Sequence, residues 1–324
     1  MMYTEYFGPV EGKHLRDFSS QLEKAARKLQ QGGLLAFPTE TVYGLGASIL
    51  NEQAIHRLFR VKQRPKEQAL PIFVANFNQL RFIASEIPEE AHRLSRLFLP
   101  GPLTLILKRN CNLSSSIVGG METVAIRISS NPIARRLIEL TGCPLALTSA
   151  NRSGKPSSLK AQHVLEDLNG QIEGIVDGGE TEFGIESTLL SLVDPDKPQI
   201  LRTGVISKSQ IEGALGKPVS LHPKALILMQ GPIFKDLKSA VRLFSTWEEI
   251  KLYIRMSPKS KRLIMSDEEM PIPVEEFFLL NDKNLYEGLR IAEWNGYSEV
   301  IVHCSPRIKK NLLLLNRLKQ IART

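Results

Sequence analysis

The amino-acid sequence predicts an α/β protein in two parts, a larger domain built on a twisted mixed sheet flanked by helices and a smaller, doubly wound Rossmann-like domain after it. Three observations carry that expectation. Over the first two hundred residues helical and strand-like patterns alternate loosely, without the regular strand–helix–strand spacing of an all-parallel sheet. The stretch Gly216-Lys217-Pro218 to Pro223 has the composition of a linker. From Lys224 on, short apolar runs alternate with helical segments, as in a small doubly wound sheet. The expected boundaries are 1–216 for the first domain, 217–223 for the linker and 224–324 for the second domain.

The elements follow from local pattern. Ser20-Gln21-Leu22-Glu23 fits a capping box, and Leu22, Ala25, Ala26 and Leu29 recur at helical spacing until Gly32 and Gly33. Leu34 to Phe37 reads as a short buried strand that Pro38 ends. Asn51 caps a second helix with Ala54, Ile55, Leu58 and Phe59 inward, stopped by Pro65. Leu70 to Val74 is a strand, and Pro88 to Leu97 a helix with Ala91, Leu94 and Leu97 facing in. Leu103 to Leu107 reads as a central strand and Thr123 to Ile128 as another. A helix runs from Asn131-Pro132 to Gly142, then a strand over Leu145 to Leu147. Ser153 to Ser158 has the composition of a mobile polar loop, and Asp177-Gly178-Gly179 that of a turn. Ser187 to Val193 and Pro198 to Leu201 are strands, and Ser207 to Leu215 a helix. In the second domain the strands are Leu226 to Met229, Arg262 to Met265 and Val300 to His303, with a helix over Leu285 to Trp294. Pro306 to Thr324 carries six Lys or Arg and no acidic residue and reads as a basic helix with a solvated face.

At 324 residues the chain is long enough for two cores, and 42% hydrophobic with 23% charged residues is an ordinary globular composition. A net charge of +8 suits anionic partners such as nucleotides or RNA. The three cysteines, Cys111, Cys143 and Cys304, form no CxxC pair, which argues against a zinc or disulfide framework and for a reducing compartment. No apolar run approaches the roughly 18 residues of a membrane span, and Met1 to Asp17 does not resemble a signal peptide. A cytoplasmic protein without a membrane partner is expected.

The unusual chemistry concentrates in Ala36-Phe37-Pro38-Thr39-Glu40-Thr41-Val42-Tyr43-Gly44-Leu45-Gly46. An apolar run there gives way to hydroxyls, a carboxylate and two glycines that permit conformations or approaches a Cβ forbids. The same residues also read as a plain turn. There is no Walker A motif, since Gly154-Lys155 and Gly216-Lys217 are both followed by proline, and no HExxH or GxSxG. Lys, Arg, Ser, Thr and Asn at strand ends recur instead. Such a set holds anions and catalyses by positioning and electrostatics.

Six further blocks then follow in order: Lys62-Gln63-Arg64-Pro65, Gly101-Pro102-Leu103-Thr104, Thr123-Val124-Ala125-Ile126-Arg127, Thr148-Ser149-Ala150-Asn151, Gly184-Ile185-Glu186-Ser187-Thr188 and Leu201-Arg202. With these the chain closely resembles the YrdC-like family of threonylcarbamoyl-AMP synthases, in the long form with an extra C-terminal domain. The resemblance spans roughly residues 20 to 206. It implies a reaction in which L-threonine and bicarbonate give a carbamate that attacks the α-phosphate of ATP, with Mg²⁺ on the phosphates. It also implies a product destined, through downstream transfer machinery, for tRNA. By the same resemblance Lys62 and Arg64 are catalytic and contact the ATP phosphates. Thr41, Arg127, Ser187 and the backbone of Leu147 contact threonine. Thr123, Ser149, Asn151 and Arg202 meet the nucleotide, with Gln68 and Ser157 as weaker candidates.

On their residue types alone, Arg127 also reads as a strand-edge cation in an ion pair, Lys62 and Arg64 as helix-end cations, and Ser149 and Asn151 as turn formers. Glu40 is either a Mg²⁺ ligand or the acceptor that orients Lys62 or Arg64, and the second is favoured. Two departures from the family pattern stand out. Where many members carry Asn-Pro-Leu-x-x-His, this chain has Gln68-Ala69-Leu70-Pro71-Ile72-Phe73, and where long members tend to carry His-Tyr-x-Pro in the linker, this chain has only His222-Pro223, without the tyrosine. An RNA-binding module using the same basic cavity without chemistry is the competing reading.

Overall fold

The structure, a computed structural model of the chain, describes residues 3–9, 18–222, 234, 236–257, 260–271 and 276–322. The chain divides into two compact units, Met1–Arg152 with Ser157–Met229, and Ser153–Pro156 with Gln230–Thr324. The first contains β1 (Glu5–Phe7), α1 (Ser19–Gln30), β2 (Leu35–Pro38), β3 (Tyr43–Ser48), α2 (Glu52–Val61), β4 (Ile72–Phe73), α3 (Leu80–Ile83), α4 (Glu89–Phe98), β5 (Leu103–Lys108) and β6 (Thr123–Arg127). It continues with α5 (Pro132–Thr141), β7 (Leu145–Ser149), α6 (Ala161–Leu168), β8 (Gly174–Val176), β9 (Thr188–Ser191), β10 (Gln199–Arg202), α7 (Lys208–Leu215) and β11 (Ser220–Leu221). Its strands form one mixed sheet in the order β1-β8-β2-β3-β7-β4-β6-β5-β9-β10-β11.

The two faces of this sheet are unlike. Leu105, Leu107, Val124, Ile126, Leu190 and Ile200 point to one face and join the core under α2, α4, α6 and α7. On the other face α1 and α5 pack over Leu35, Phe37, Leu145, Leu147 and Val176. That second core stops near β4. Beyond it Thr123, Ala125, Ile106 and Leu189 alternate with core residues but stay only half-buried. This less covered face is where polar side chains collect.

Local signals explain the helices. Asn51 accepts from Ala54 N at 2.9 Å to cap α2, whose Ala54, Ile55, Leu58 and Phe59 are buried as expected. Asn131 caps α5, and Gly142 ends it in the left-handed region at φ 76°. Three local expectations fail. The cap of α1 falls at Phe18 with no side-chain bond, so Ser20 lies inside the first turn and its capping box is not made. Leu97 is 64% exposed, because α4 buries only Ala91 and Leu94. The strand expected over Leu70 to Val74 shrinks to β4, since Leu70 N turns to Ile117 O at 2.9 Å and Pro71 has no N–H.

The second unit has an all-parallel sheet, as the sequence predicts. Its strands β12 (Ala240–Phe244), β13 (Arg262–Ser266), β14 (Phe277–Leu279) and β15 (Glu299–His303) lie in the order β12-β15-β13-β14. Helices cover Trp247–Met256 and Leu285–Trp294. The expected single basic helix is two, Pro306–Lys310 and Leu312–Ile321, broken where the Asn311 side chain accepts from Leu314 N at 3.1 Å. The strand expected over 226–229 lies outside the described residues. Among the described residues no helix is long and apolar enough to cross a membrane.

Candidate active site

Arg127 is the last residue of β6, on the less covered face, with Phe73 of β4 its partner in register. The guanidinium carbon stands 5.2 Å from the Phe73 ring centroid, a cation–π distance. Arg127 Nη2 donates to Glu40 Oε1 at 2.8 Å and to Thr41 Oγ1 at 2.9 Å. Arg127 and Glu40 are 5% and 2% exposed, so this is a buried ion pair. Ser129 Oγ donates to the other carboxylate oxygen, Glu40 Oε2. Burial pushes the Glu40 carboxyl up, but the Arg127 charge and the hydrogen bonds from Arg127 and Ser129 outweigh it and hold the group below its usual range. Both Glu40 oxygens are thus engaged, and the partner is Arg127 rather than the expected Lys62 or Arg64.

The turn that presents Glu40 and Thr41 is fixed by Thr39. Its Oγ1 accepts from Thr41 N at 3.2 Å and Val42 N at 3.3 Å, and lies 2.6 Å from the Val42 carbonyl. The Glu40 carbonyl accepts from Phe183 N at 2.9 Å, which ties the turn to the segment leading to Ser187.

The two bonds from Nη2 do not use all the donors of Arg127, and Nε is buried without a partner. A buried donor without a partner calls for an explanation, and an anionic ligand would supply one here.

A second polar group adjoins the first. One step along from the Leu105–Ile126 pair, Thr104 of β5 comes opposite Arg127. Thr104 Oγ1 is 2.8 Å from Ser187 Oγ, which accepts from Arg202 Nη2 at 3.0 Å. Arg202 Nε donates to the Ser187 carbonyl at 3.1 Å. Register therefore links Thr41, Arg127, Ser187 and Arg202 into one polar row.

Leu147 contributes through its backbone. The pair after Ile72–Ala146 is Pro71–Leu147, in which Leu147 N donates to Pro71 O at 2.9 Å and proline has no N–H to return. The Leu147 carbonyl thus lacks the bond a non-proline partner would supply. Gly44 and Gly46 are needed for the side chain of the same residue. A Cβ at Gly44 would lie 2.6 Å from Leu147 Cδ2, and one at Gly46 would lie 2.9 Å from Phe37 Cε1. These glycines serve strand packing in β3, not an unusual backbone.

The remaining candidates form other groups. Lys62, 5% exposed, donates from Nζ to the Asn151 carbonyl and, at 3.2 Å, to Asn151 Oδ1. Ser149 sits half-buried at the end of β7, opposite Gly44. Ser157 and Ser158, expected in a mobile loop, are fully buried. Ser157 Oγ donates to Glu186 Oε1 at 3.1 Å and Ser158 Oγ to Ala150 O at 2.9 Å.

Arg64 binds its own loop, Nε to Gln68 O at 3.0 Å and Nη2 to Ala69 O at 2.8 Å. It lines a surface concavity of about 870 Å³ with Gln53, His56, Arg60 and Lys66, and this concavity takes in none of Thr41, Arg127 or Ser187. The Gln68 residue is exposed. Thr123 shares the face of Arg127 but starts the strand that Arg127 ends, about 13 Å away by strand rise.

Sequence reasoning missed Thr104, Ser129 and Phe73 as parts of the site. A lone hydroxyl inside the apolar run Leu103-Thr104-Leu105-Ile106-Leu107 was the available signal for the first. Among the described residues no three His, Cys, Asp or Glu side chains gather as a metal site.

The Sua5/YciO/YrdC family model, described as telomere recombination, matches residues 27–204. A threonylcarbamoyl-AMP synthase of Pyrococcus abyssi is 37% identical over 91% of this chain and 92% of its own length. One from Bacillus subtilis is 48% identical over 60% of this chain and 57% of its own. The crystal structure of Pyrococcus abyssi Sua5 complexed with L-threonine superposes with a TM-score of 0.83 at 33% identity, covering 100% of this chain and 98% of that one. The chain belongs to the Sua5/YciO/YrdC family.

Proposed function

We propose that this chain is a threonylcarbamoyl-AMP synthase, an ATP-dependent nucleotidyltransferase acting on L-threonine, bicarbonate and MgATP. The observation that carries the reading is Arg127, a buried guanidinium with an unpartnered Nε, set beside Thr41 in a chain alike over its whole length to a protein crystallised with L-threonine. A buried planar cation with N–H groups to give is a receptor for a carboxylate.

In the proposed reaction the threonine amine and bicarbonate condense to a carbamate with loss of water. A carbamate oxygen then bonds to the α-phosphorus of ATP while the α–β bridging bond breaks, and pyrophosphate leaves. Arg127 takes the amino-acid carboxylate, Thr41 and Ser187 offer hydroxyls, and the Leu147 carbonyl accepts from an N–H or O–H of the substrate. Lys62, Arg64 and Arg202 counter the phosphate charge, with Thr123, Ser149, Asn151, Gln68 and Ser157 along the nucleotide. None of these groups is a strong nucleophile, so rate enhancement rests on alignment of the two anions and on charge stabilisation. Because Glu40 is occupied by Arg127 and Ser129, Mg²⁺ is carried on the triphosphate as part of the substrate. The product would serve threonylcarbamoyl transfer to tRNA in the cytoplasm.

Titration calorimetry tests the amino-acid half of the assignment. Arg127→Lys should weaken L-threonine binding at least tenfold and leave ATP binding within twofold. Equal loss of both ligands, or no loss of threonine, would contradict it.

A further inference from the structure

The proposed reading names the group that receives the amino acid but not what aims it. Arginine has three rotatable methylenes, and an isolated guanidinium at a strand end would sample many directions. Around Arg127 three contacts remove that freedom. Glu40 fixes Nη2 at 2.8 Å and is itself anchored by Ser129 from the opposite oxygen. Phe73 covers the guanidinium at 5.2 Å from its ring centroid, so a ligand on that side is excluded. The carbonyl of Glu40 is tethered to Phe183 N at 2.9 Å, so its backbone is held as well.

These contacts narrow the approach. Nη2 is saturated by Glu40 and Thr41, one face of the guanidinium is covered by Phe73, and Nε stays without a partner. Both Glu40 oxygens are bonded, and Ser129 Oγ donates to Glu40 and accepts from Asn131 N at 3.2 Å, so these two side chains are committed within the site rather than to a ligand.

We infer that Glu40 is the positioning residue for amino-acid recognition, with Ser129 locking its carboxylate and Phe73 restricting approach to the Arg127 guanidinium. This rests on the synthase reading and adds to it. Glu40 acts through Arg127, touching neither the reacting atoms nor a metal ion. Its removal should therefore be felt in the threonine term and not in the nucleotide or chemical terms. A role confined to holding the fold would disturb all of them together.

The experiment is steady-state pyrophosphate release by the full chain, with threonine and ATP varied separately. Glu40→Gln, which keeps shape but removes the charge, should raise KM for threonine about tenfold, leave KM for ATP within twofold, and leave kcat within twofold. Ser129→Ala keeps the ion pair and should raise the threonine KM only about two- to fourfold, giving a graded series even where Glu40→Gln folds poorly. Phe73→Leu uncovers that face of the Arg127 guanidinium and should raise the threonine KM about threefold, again without effect on ATP. A fall in kcat at unchanged threonine KM, or a parallel rise in both KM values, would overturn the inference. So would variants indistinguishable from wild type. Wild-type chain that releases no pyrophosphate in response to threonine would instead refute the synthase reading, an outcome the wild-type arm detects on its own.

Discussion

Arg127→Ala offers the sharpest thermodynamic test of the site. The substitution removes one half of an ion pair whose members are 5% and 2% exposed at 2.8 Å. Breaking a buried pair from one side leaves an uncompensated charge and typically costs about 3–5 kcal/mol. Loss of the Phe73 stacking adds about 1 kcal/mol. For a unit of this size each kcal/mol lowers the melting midpoint by about 2–4 °C, so the combined loss of about 4–6 kcal/mol should lower it by roughly 8–24 °C in the first unit.

Both tryptophans, Trp247 and Trp294, lie in the second unit. Their emission should follow an unchanged transition while calorimetry or circular dichroism reports the shifted one. The sign of the pH dependence is fixed by Glu40, whose folded pKa is depressed below the ordinary carboxylate value. Its contribution is complete above about pH 4.5 and is lost as pH falls through the lowered value. The gap between wild type and Arg127→Ala should therefore shrink on acidification. A variant within 1 kcal/mol of wild type at pH 7, or a gap that widens below pH 4.5, would refute the buried-pair account.

Glu299 accepts from Arg262, Arg242, Tyr253 and Ser260, and although burial pushes it up, those bonds bring it from 4.5 to about 2. Discounted for its position near the surface, Glu299→Gln should destabilise the second unit by about 2 kcal/mol at pH 7. The difference should fade between pH 4.5 and 2 in urea melts followed by tryptophan emission. Gly44→Ala places a Cβ 2.6 Å from Leu147 Cδ2 and should cost about 1–3 kcal/mol in the first unit, read by calorimetry.

Much of the fold was legible where a local device announced it. The asparagine caps of α2 and α5 and the left-handed glycine after α5 are written in single residues. The strands β1 and β8, three residues each, are too short for any periodicity to register. β3 was hidden because its glycines look like a turn, although they only make room for Leu147 and Phe37. Leu97 fits the helical period of α4 but faces outward, since pattern gives a stripe and not the edge of what covers it.

At the site, residue types pointed to anion binding, but pairing was illegible. Arg127 meets Glu40 across 87 residues, and only the sheet order makes them neighbours. Thr123 and Arg127 are adjacent in one motif yet sit at opposite ends of β6.

The measurement closest to the central claim is pyrophosphate release by the purified chain in ATP, Mg²⁺ and bicarbonate, with and without L-threonine. Release should depend on threonine, saturate with it, and coincide with threonylcarbamoyl-AMP detected by mass. Pyrophosphate released at the same rate without threonine, or none under any of these conditions, would contradict a site built to seat an amino acid against a nucleotide.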